Sequence, residues 1–225
     1  MKEFKYETHL HTCQGSDCGV STGSEMVEYY KSIGYAGFFV TDHFYGGNII
    51  SACLHLPWEE GIEHFCSGYE DAKRRGDEVG FDVFFGFEYG FDGTEFLIYG
   101  LTKEWLLKNP QLVDLDLQAA LNLFRESGGF IIHAHPFREA FYIPEIRLLP
   151  DLTDAVEVTN ICNSPKQNKQ AAAYAKKHNL PETCGGDAHI VDARPGGIIS
   201  PKRIQTTEEF VSLLRSREYE LVKKL

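Results

Sequence analysis

The chain has 225 residues, of which 43% are hydrophobic and 24% charged, and its formal net charge is −11 at pH 7. This acidic surplus argues against a broad nucleic-acid-binding surface, because such a surface needs clustered basic side chains. No apolar run approaches the length of a bilayer-spanning segment, and residues 1–12 lack the apolar core of a signal peptide. We therefore expect a cytoplasmic protein with neither a membrane nor a nucleic-acid partner.

The cysteines are scattered and include no Cys-x-x-Cys pair; they occupy positions 13, 18, 53, 66, 162 and 184. In a chain without an export signal, such cysteines are expected to be free thiols. The same spacing disfavours a zinc ribbon, whose ligands come in closely spaced pairs.

Short apolar runs that predict strands alternate with amphipathic stretches that predict helices. After an extended segment around His9, strands are expected within residues 35–43, 81–88, 95–101, 128–136, 154–160 and 180–189. Helices are expected within residues 23–34, 58–76, 115–128, 167–179 and 206–220. This alternation is typical of an α/β fold in which helices cover a parallel sheet. Since no linker interrupts the pattern, we expect residues 1–225 to form one domain.

Three pairs of candidate ligands share the same spacing of two residues: His9 with His11, His133 with His135, and Asp187 with His189. On an extended segment, side chains two residues apart point to the same side, so both members of a pair can reach one ion. Each pair taken alone is equally compatible with a surface or structural role.

The other candidates are also single residues at strand ends or turns. Glu88 follows an apolar run, where a buried carboxylate needs a cation or hydrogen-bond donors. Asp42 and His43 end another predicted strand, and Asp17 lies in a turn-like stretch, where aspartate often has a purely structural role. Because the carboxyl ends of parallel strands meet at one edge, the joint placement favours a shared metal site there. The histidines outside this pattern are expected to be structural or solvated; they are His55, His64 and His178.

In this order the motifs HLH, TDH, GFE, HAHP and GGDAH resemble the polymerase and histidinol phosphatase (PHP) superfamily of metal-dependent phosphoesterases, from about residue 7 to about residue 197. The resemblance implies a distorted (β/α)7 barrel with two or three divalent metal ions at the C-terminal ends of the strands. It implies one ion held by His9, His11, Glu88 and Asp187, a second held by Asp17, His43 and His189, and a third held by His135, with Glu88 bridging.

One position departs from the family pattern. The family often has a further histidine in the strand after the glutamate motif, and Leu97 occupies that place here. His133 would then either reach the same ion from the neighbouring strand or support the ligands from behind.

Two further segments resemble pocket-lining parts of the family. Glu157 and Asn160 lie at the end of a predicted strand, although Asn160 can equally well simply terminate it. Arg138 and Arg194 each follow a ligand motif, and a guanidinium there could clamp a phosphate in bidentate fashion. Arg138 is the preferred candidate because it lies closer to its ligand motif.

The mixed nitrogen and oxygen ligand set suits Zn, Mn or Fe. With such ions, we expect hydrolysis of a small-molecule phosphate monoester by a metal-bound hydroxide, and the residues given catalytic roles are His43, Asp187 and Arg138. The leaving group would take its proton from His43, from Asp42 or from a water molecule. No side-chain nucleophile is expected, since the cysteines near the motifs have no identifiable base.

Two alternatives remain open at this point. One is a nucleic-acid phosphodiesterase or 3′–5′ exonuclease, and the other is a non-catalytic relative that binds metal. The residues specify no oligomeric state.

Overall fold

The structure, a computed structural model, describes residues 3–222, and in this range nine strands form one sheet. The strands are β1 (Phe4–Glu7), β2 (Gly37–Val40), β3 (Asp82–Phe91), β4 (Thr94–Tyr99), β5 (Phe130–His133), β6 (Ala155–Asn160), β7 (Glu182–Gly185), β8 (Ile198–Ser200) and β9 (Glu220–Leu221). Their order across the sheet is β7-β6-β5-β4-β3-β2-β1-β8-β9.

The helices are α1 (Gly23–Ser32), α2 (Trp58–Phe65), α3 (Ser67–Val79), α4 (Lys103–Leu107), α5 (Leu117–Glu126), α6 (Pro165–His178) and α7 (Thr207–Ser216). Several begin where the sequence places a capping side chain. Thr22 and Ser164 form capping boxes at α1 and α6, and Asp116 and Thr206 cap α5 and α7. These caps satisfy backbone donors that the first turn leaves unpaired. The single helix expected within residues 58–76 is divided at Cys66 into α2 and α3.

The sheet closes into a barrel at the edge where the predicted ligands lie. Strands β1, β2 and β3 pair in parallel, as do β5, β6 and β7. Beyond the ends of β1 and β7, Leu10 forms a parallel bridge with Ala188, and the Thr8 hydroxyl donates to the Cys184 carbonyl at 2.6 Å. The expected fold, a distorted α/β barrel, is thereby confirmed.

Strand β4 departs from the expected parallel arrangement, because it pairs antiparallel with both β3 and β5. It follows β3 through a tight turn in which Asp92 has φ 47° and Gly93 has φ 78°. Asp-Gly with positive φ at both positions is the preferred sequence of a two-residue hairpin turn. The reversal brings the start of β4, rather than its end, to the edge with the predicted ligands.

The barrel interior is filled by large apolar side chains. Phe39 of β2 contacts Phe210 of α7 at a ring-centroid distance of 4.2 Å, and Tyr99 also packs on Phe210. Arg203, just before α7, pairs with Asp82 at the start of β3, so this segment covers the end opposite the predicted ligands. None of the helices between residues 3 and 222 combines the length and apolar character needed to cross a membrane.

Candidate metal centre

The carboxyl edge of the barrel brings imidazoles and carboxylates together. His9 and His11 follow β1, and both are fully buried. His43 follows β2 and forms a parallel bridge with Glu88 of β3. His135 follows β5. The sheet thus brings motifs that are far apart in the sequence together in one cluster.

Three of these residues, together with Asp187, enclose a first position. His9 Nε2 lies 3.3 Å from Glu88 Oε1 and 3.5 Å from Asp187 Oδ1. His11 Nε2 lies 3.4 Å from Glu88 Oε2 and 3.3 Å from Asp187 Oδ1. Ligand atoms about 2.1 Å from a tetrahedral Zn²⁺ are roughly 3.4 Å apart. These separations therefore match those of ligands around one ion.

A second position lies between β3, β4 and β5. His135 Nε2 is 3.2 Å from Glu88 Oε1 and 3.5 Å from Glu95 Oε2. His43 Nδ1 is 2.8 Å from Glu88 Oε2 and 3.5 Å from Glu95 Oε1. Glu88 thus faces both positions with its two oxygens, and Glu95 supplies a second carboxylate.

A third group consists of imidazoles. His11, His43 and His189 have ligand atoms within 4.8 Å of one another. The ring of His11 stacks between the other two, with centroid distances of 4.3 Å to each. Burial, together with repulsion from His43 and His189, holds the pKa of His11 well below its usual value, so the central ring is neutral and can ligate.

Orphaned polar atoms test whether these residues fit divalent ions. Within residues 3–222, His9 Nε2, His11 Nε2, His43 Nδ1 and Glu88 Oε2 are buried without a hydrogen-bond partner. Buried polar atoms are rarely left in this state, because each costs about 1–3 kcal/mol. These four converge on the centre of the cluster, whereas three further unpartnered atoms, of His133, Gln170 and Tyr174, lie dispersed outside it. The residues present therefore fit divalent metal ions.

The opposite ring nitrogens are held from behind. His9 Nδ1 lies 2.9 Å from Glu157 Oε1, His11 Nδ1 lies 3.4 Å from the Ser16 hydroxyl, and His189 Nδ1 lies 2.8 Å from the Asp187 carbonyl. Such contacts fix the ring orientation and the tautomer of metal-ligating histidines. They direct the Nε2 atoms of His9 and His11 toward the cluster.

The electrostatics of the site keep its carboxylates ionised. Burial raises the pKa of Glu88, but the charges of His9 and His43 outweigh it and hold that pKa well below the usual value. Burial also raises the pKa of Asp187, but the charges of His9 and Arg138 outweigh it and hold that pKa well below the usual value. The pKa of Glu95 is instead raised by burial and by Glu88. The ionised carboxylates therefore give the site negative charge that divalent cations would neutralise.

Backbone strain coincides with the cluster. His135 has φ 28° and Asp187 has φ 52°, in a region that residues other than glycine seldom adopt. Such outliers cost about 1–3 kcal/mol and occur mostly at functional sites. The strain turns both side chains toward Glu88 and His9 respectively.

A cavity of about 620 Å³ opens above the cluster. The lining includes cluster residues, the guanidinium of Arg138 and the exposed aromatic residues Phe141 and Tyr142, and several glycines form part of its wall. A small organic molecule can thus reach the cluster from solvent.

Solved structures with a similar fold include a two-domain protein of Bacteroides vulgatus containing a predicted PHP-like metal-dependent phosphoesterase. It is 13% identical with a TM-score of 0.75, and the match covers 99% of this chain and 65% of that one. A protein of Bifidobacterium adolescentis that carries the name of a metal-dependent phosphoesterase is 15% identical with a TM-score of 0.59, over 93% of this chain and 95% of that one. At these identities the likeness establishes the fold.

Sequence comparison adds an uncharacterized protein, MJ0417 of Methanocaldococcus jannaschii, which is 30% identical over 153 residues. That match covers 61% of this chain and 62% of the relative, so the chain spans less than two thirds of both MJ0417 and the Bacteroides protein. A family model described as PHP-associated matches residues 165–193, which contain Asp187 and His189. The chain thus resembles the PHP superfamily in its fold and in the segment that carries Asp187 and His189.

The site brings together all the ligands predicted from the sequence except Asp17 and His133. Asp17 is exposed, and its carboxylate accepts hydrogen bonds from the Ser51 backbone at 3.0 Å and the Ser51 hydroxyl at 2.5 Å. It caps the short 3-10 helix Ser51–His55 instead of facing the cluster. The three histidines predicted to be structural or solvated, at positions 55, 64 and 178, are exposed outside the cluster.

His133 packs away from the cluster. Its ring stacks on Phe96 at 5.0 Å and meets the edge of Tyr174 at 6.4 Å. Burial, with a contribution from His135, lowers the pKa of His133 to about 3. The extended backbone of β5 ends at His133 and His135 has a positive φ, so the two histidines do not share a side as strand alternation alone would predict.

The other predicted residues surround the ligands. Arg138 Nη2 donates to Asp187 Oδ2 at 2.7 Å and to Asn160 Oδ1 at 3.0 Å. Asp42 accepts hydrogen bonds from Thr12 and Ser16, and burial raises its pKa to about 6. Arg194 is exposed.

Glu95 and Cys18 are the residues of the site that the sequence motifs did not reveal. Glu95 could have been found from the Asp-Gly turn, which predicts that β4 runs antiparallel. Cys18 lies within hydrogen-bonding reach of His189 and His43; burial raises the pKa of its thiol, but these two contacts lower it to about 6.

Proposed function

We propose that this protein hydrolyses phosphate monoesters of small molecules with two or three divalent ions, Zn, Mn or Fe, as cofactors. The observation that carries the proposal is the convergence of buried, unpartnered ligand atoms of His9, His11, His43 and Glu88 beneath an open cavity. A purely structural cluster would pair these atoms with one another or with backbone groups.

Divalent ions bound at these ligands would polarise a phosphoryl oxygen and lower the pKa of a water molecule. Residues next to the ligands orient them and give the cavity a positive charge. Glu157 orients His9, and Arg138 holds Asp187 while its guanidinium faces the cavity. A positive charge there favours the phosphate group and the charge that develops on it during hydrolysis.

Cavity size and charge support a small substrate. A volume of about 620 Å³ is within the range of small-molecule sites. Phe141 and Tyr142 at its mouth offer contacts to the organic part of an ester. The net charge of −11 disfavours a polyanionic nucleic acid, the substrate of the exonuclease alternative.

The proposal is tested with protein reconstituted separately with Zn, Mn and Fe. p-Nitrophenyl phosphate, bis(p-nitrophenyl) phosphate and a short DNA oligonucleotide are the competing substrates. We expect turnover of the monoester, with more than about a 100-fold loss in Asp187→Ala and His11→Ala, because even residues behind metal ligands contribute about 10- to 100-fold. The exposed His64→Ala is the matched control.

Two outcomes would contradict the proposal. Faster digestion of the oligonucleotide than of the monoester would favour the exonuclease. A folded protein that holds at most one ion and hydrolyses none of the three substrates would favour a non-catalytic metal-binding relative.

A further inference from the structure

The extended backbone of residues 16–18 explains why Cys18, and not Asp17, faces the metal centre. Ser16 forms an antiparallel bridge with Ile49, so successive side chains in this stretch alternate in direction. Ser16 is fully buried, Asp17 is exposed and capped onto Ser51, and Cys18 lines the cavity. Asp17, which the resemblance predicts as a ligand, therefore lies on the side of the chain that faces away from the metal centre.

The Cys18 thiol lies within hydrogen-bonding reach of the imidazoles of both His43 and His189, and all three residues line the same cavity. His43 and His189 belong to the group of three imidazoles around His11. Within residues 3–222, that group contains no carboxylate. The carboxylates beside it, Glu88 and Asp187, already face the first two positions, so a thiolate from Cys18 would give this group an anionic ligand of its own.

A second observation points to a ligand at this group. His11 Nε2 and His43 Nδ1 are buried and form no hydrogen bond of suitable geometry among the described residues, although each also lies within 3.5 Å of Glu88 Oε2. The rings are also held in place, His11 by Ser16 and His189 by the Asp187 carbonyl. Fixed imidazoles with unpartnered nitrogens next to a thiol are a ligand set of nitrogen and sulfur, which suits Zn²⁺.

We propose that Cys18, as a thiolate, ligates the ion held by His43 and His189, in the position that the family resemblance gives to Asp17. On binding, the S–H bond breaks, its proton leaves to the solvent, and a sulfur lone pair binds the ion. A thiolate is a soft ligand, so this position favours Zn²⁺, Fe²⁺ or Co²⁺ over Mn²⁺. The assignment rests on the proposed metal centre.

Cobalt substitution tests it without an activity measurement, since a thiolate bound to Co²⁺ gives a sulfur-to-metal charge-transfer band in the near ultraviolet. We expect this band in the wild-type protein loaded with Co²⁺ and its loss in Cys18→Ser. Cys13→Ser, a change at the nearest other cysteine in the sequence, should retain it. Cys18→Asp should bind cobalt but lack the charge-transfer band, because a carboxylate replaces the thiolate.

Thiol alkylation gives an independent measurement. Zn²⁺ should slow the reaction of Cys18 with iodoacetamide, followed by peptide mass spectrometry, while the exposed Cys162 in the same sample reacts unchanged. Wild-type protein that binds cobalt stoichiometrically without the band would overturn the role of Cys18 and leave the metal centre intact. Failure to bind cobalt or zinc at all would overturn both the assignment and the proposed function.

Discussion

A single carboxylate organises the centre of the site. Glu88 Oε1 lies 3.3 Å from His9 and 3.2 Å from His135, and Oε2 lies 3.4 Å from His11 and 2.8 Å from His43. Each oxygen thus faces a different pair of imidazoles. A carboxylate that uses its oxygens in this way can bridge two ions, as the family resemblance implies for Glu88.

At this residue scale, Glu95→Gln is expected to remove one ion from the site. The amide keeps the volume but lacks the negative charge that His43 and His135 face at 3.5 Å. Metal content after dialysis should fall by about one equivalent, because a neutral amide is a weaker ligand for Zn, Mn or Fe. Glu104→Gln, on the exposed surface of α4, should retain the wild-type content. Unchanged metal content in Glu95→Gln would remove Glu95 from the ligand set.

His133 has the opposite character, and His133→Phe should alter acid stability without altering metal content. The folded protein keeps this ring neutral, with a pKa of about 3, whereas the unfolded chain protonates it near pH 6.5. Falling pH therefore favours unfolding of the wild type through this group, and phenylalanine abolishes the effect. Relative to wild type, the variant should gain about 2 kcal/mol in unfolding free energy between about pH 7.5 and pH 5. If the unfolding free energies of wild type and His133→Phe, measured by urea denaturation, changed in parallel with pH, this prediction would be contradicted.

At the scale of elements, the β3–β4 hairpin shows how much of the site the sequence predicts. Strands and ligand motifs follow from apolar runs and the spacing of His, Asp and Glu. Strand direction depends on the turn, and the turn at Asp92 and Gly93 reverses β4. Leu97 then pairs with Glu88 and packs in the core, while Glu95 lies at the site edge. The position of Cys18 could not be predicted from the motifs, because the pairing of Ser16 with Ile49 determines which side chain of residues 16–18 faces inward.

Barrel closure depends on Glu7 at the end of β1, and Glu7→Gln should weaken it. The carboxylate accepts from the Gly186 backbone at 2.8 Å and the Gly196 backbone at 2.7 Å, as well as from Thr8, His9 and Tyr30. Glutamine replaces one acceptor with an NH2 group that faces backbone donors. We expect a loss of about 1–3 kcal/mol in the unfolding free energy, measured in urea. The exposed Glu3→Gln is the control, and equal stability of the two variants would refute the role of Glu7.

The segment after β5 presents Phe141 to solvent with a relative exposure of 102%, beside Tyr142 at the mouth of the cavity. If the proposed function holds, Phe141→Ala should raise KM for p-nitrophenyl phosphate roughly 2- to 10-fold with little change in kcat, since an aromatic contact is worth about 0.5–1.5 kcal/mol. Phe141→Tyr should behave as wild type. An equal rise in KM for methyl phosphate, which has no ring, would show that the effect is not an aromatic contact.

At the scale of the whole molecule, the fold concentrates negative charge where strands from both halves of the barrel meet. Glu7, Glu88 and Glu157 are all at most 1% exposed, although burial of an ionised carboxylate is costly. In the metal-free protein, protonated histidines are the counter-charges. Burial lowers the pKa of His9 and His43, but Glu88 and the neighbouring carboxylates outweigh it and hold both pKa values well above the usual one.

Metal removal should therefore destabilise the protein increasingly as pH rises. A histidine whose pKa is raised in the folded state stabilises it at low pH, and this contribution is lost as pH rises through the folded-state pKa. Bound ions instead compete with protons for the same nitrogens, so their stabilising effect grows with pH. At 100 times the dissociation constant, each ion contributes about 2.7 kcal/mol, which in a chain of this size is roughly 5–10 °C in Tm.

The measurement is Tm with saturating Zn²⁺ and with a chelator, from about pH 6 to about pH 9, where the difference should widen steadily. His135→Ala should narrow the difference, because one ligand is lost, whereas the exposed His178→Ala should not. A difference that is constant or shrinks with rising pH would mean that the histidines of the metal-free site are not its counter-charges. The buried carboxylates would then owe their stability to hydrogen-bond donors rather than to protonated histidines, as Glu7 does.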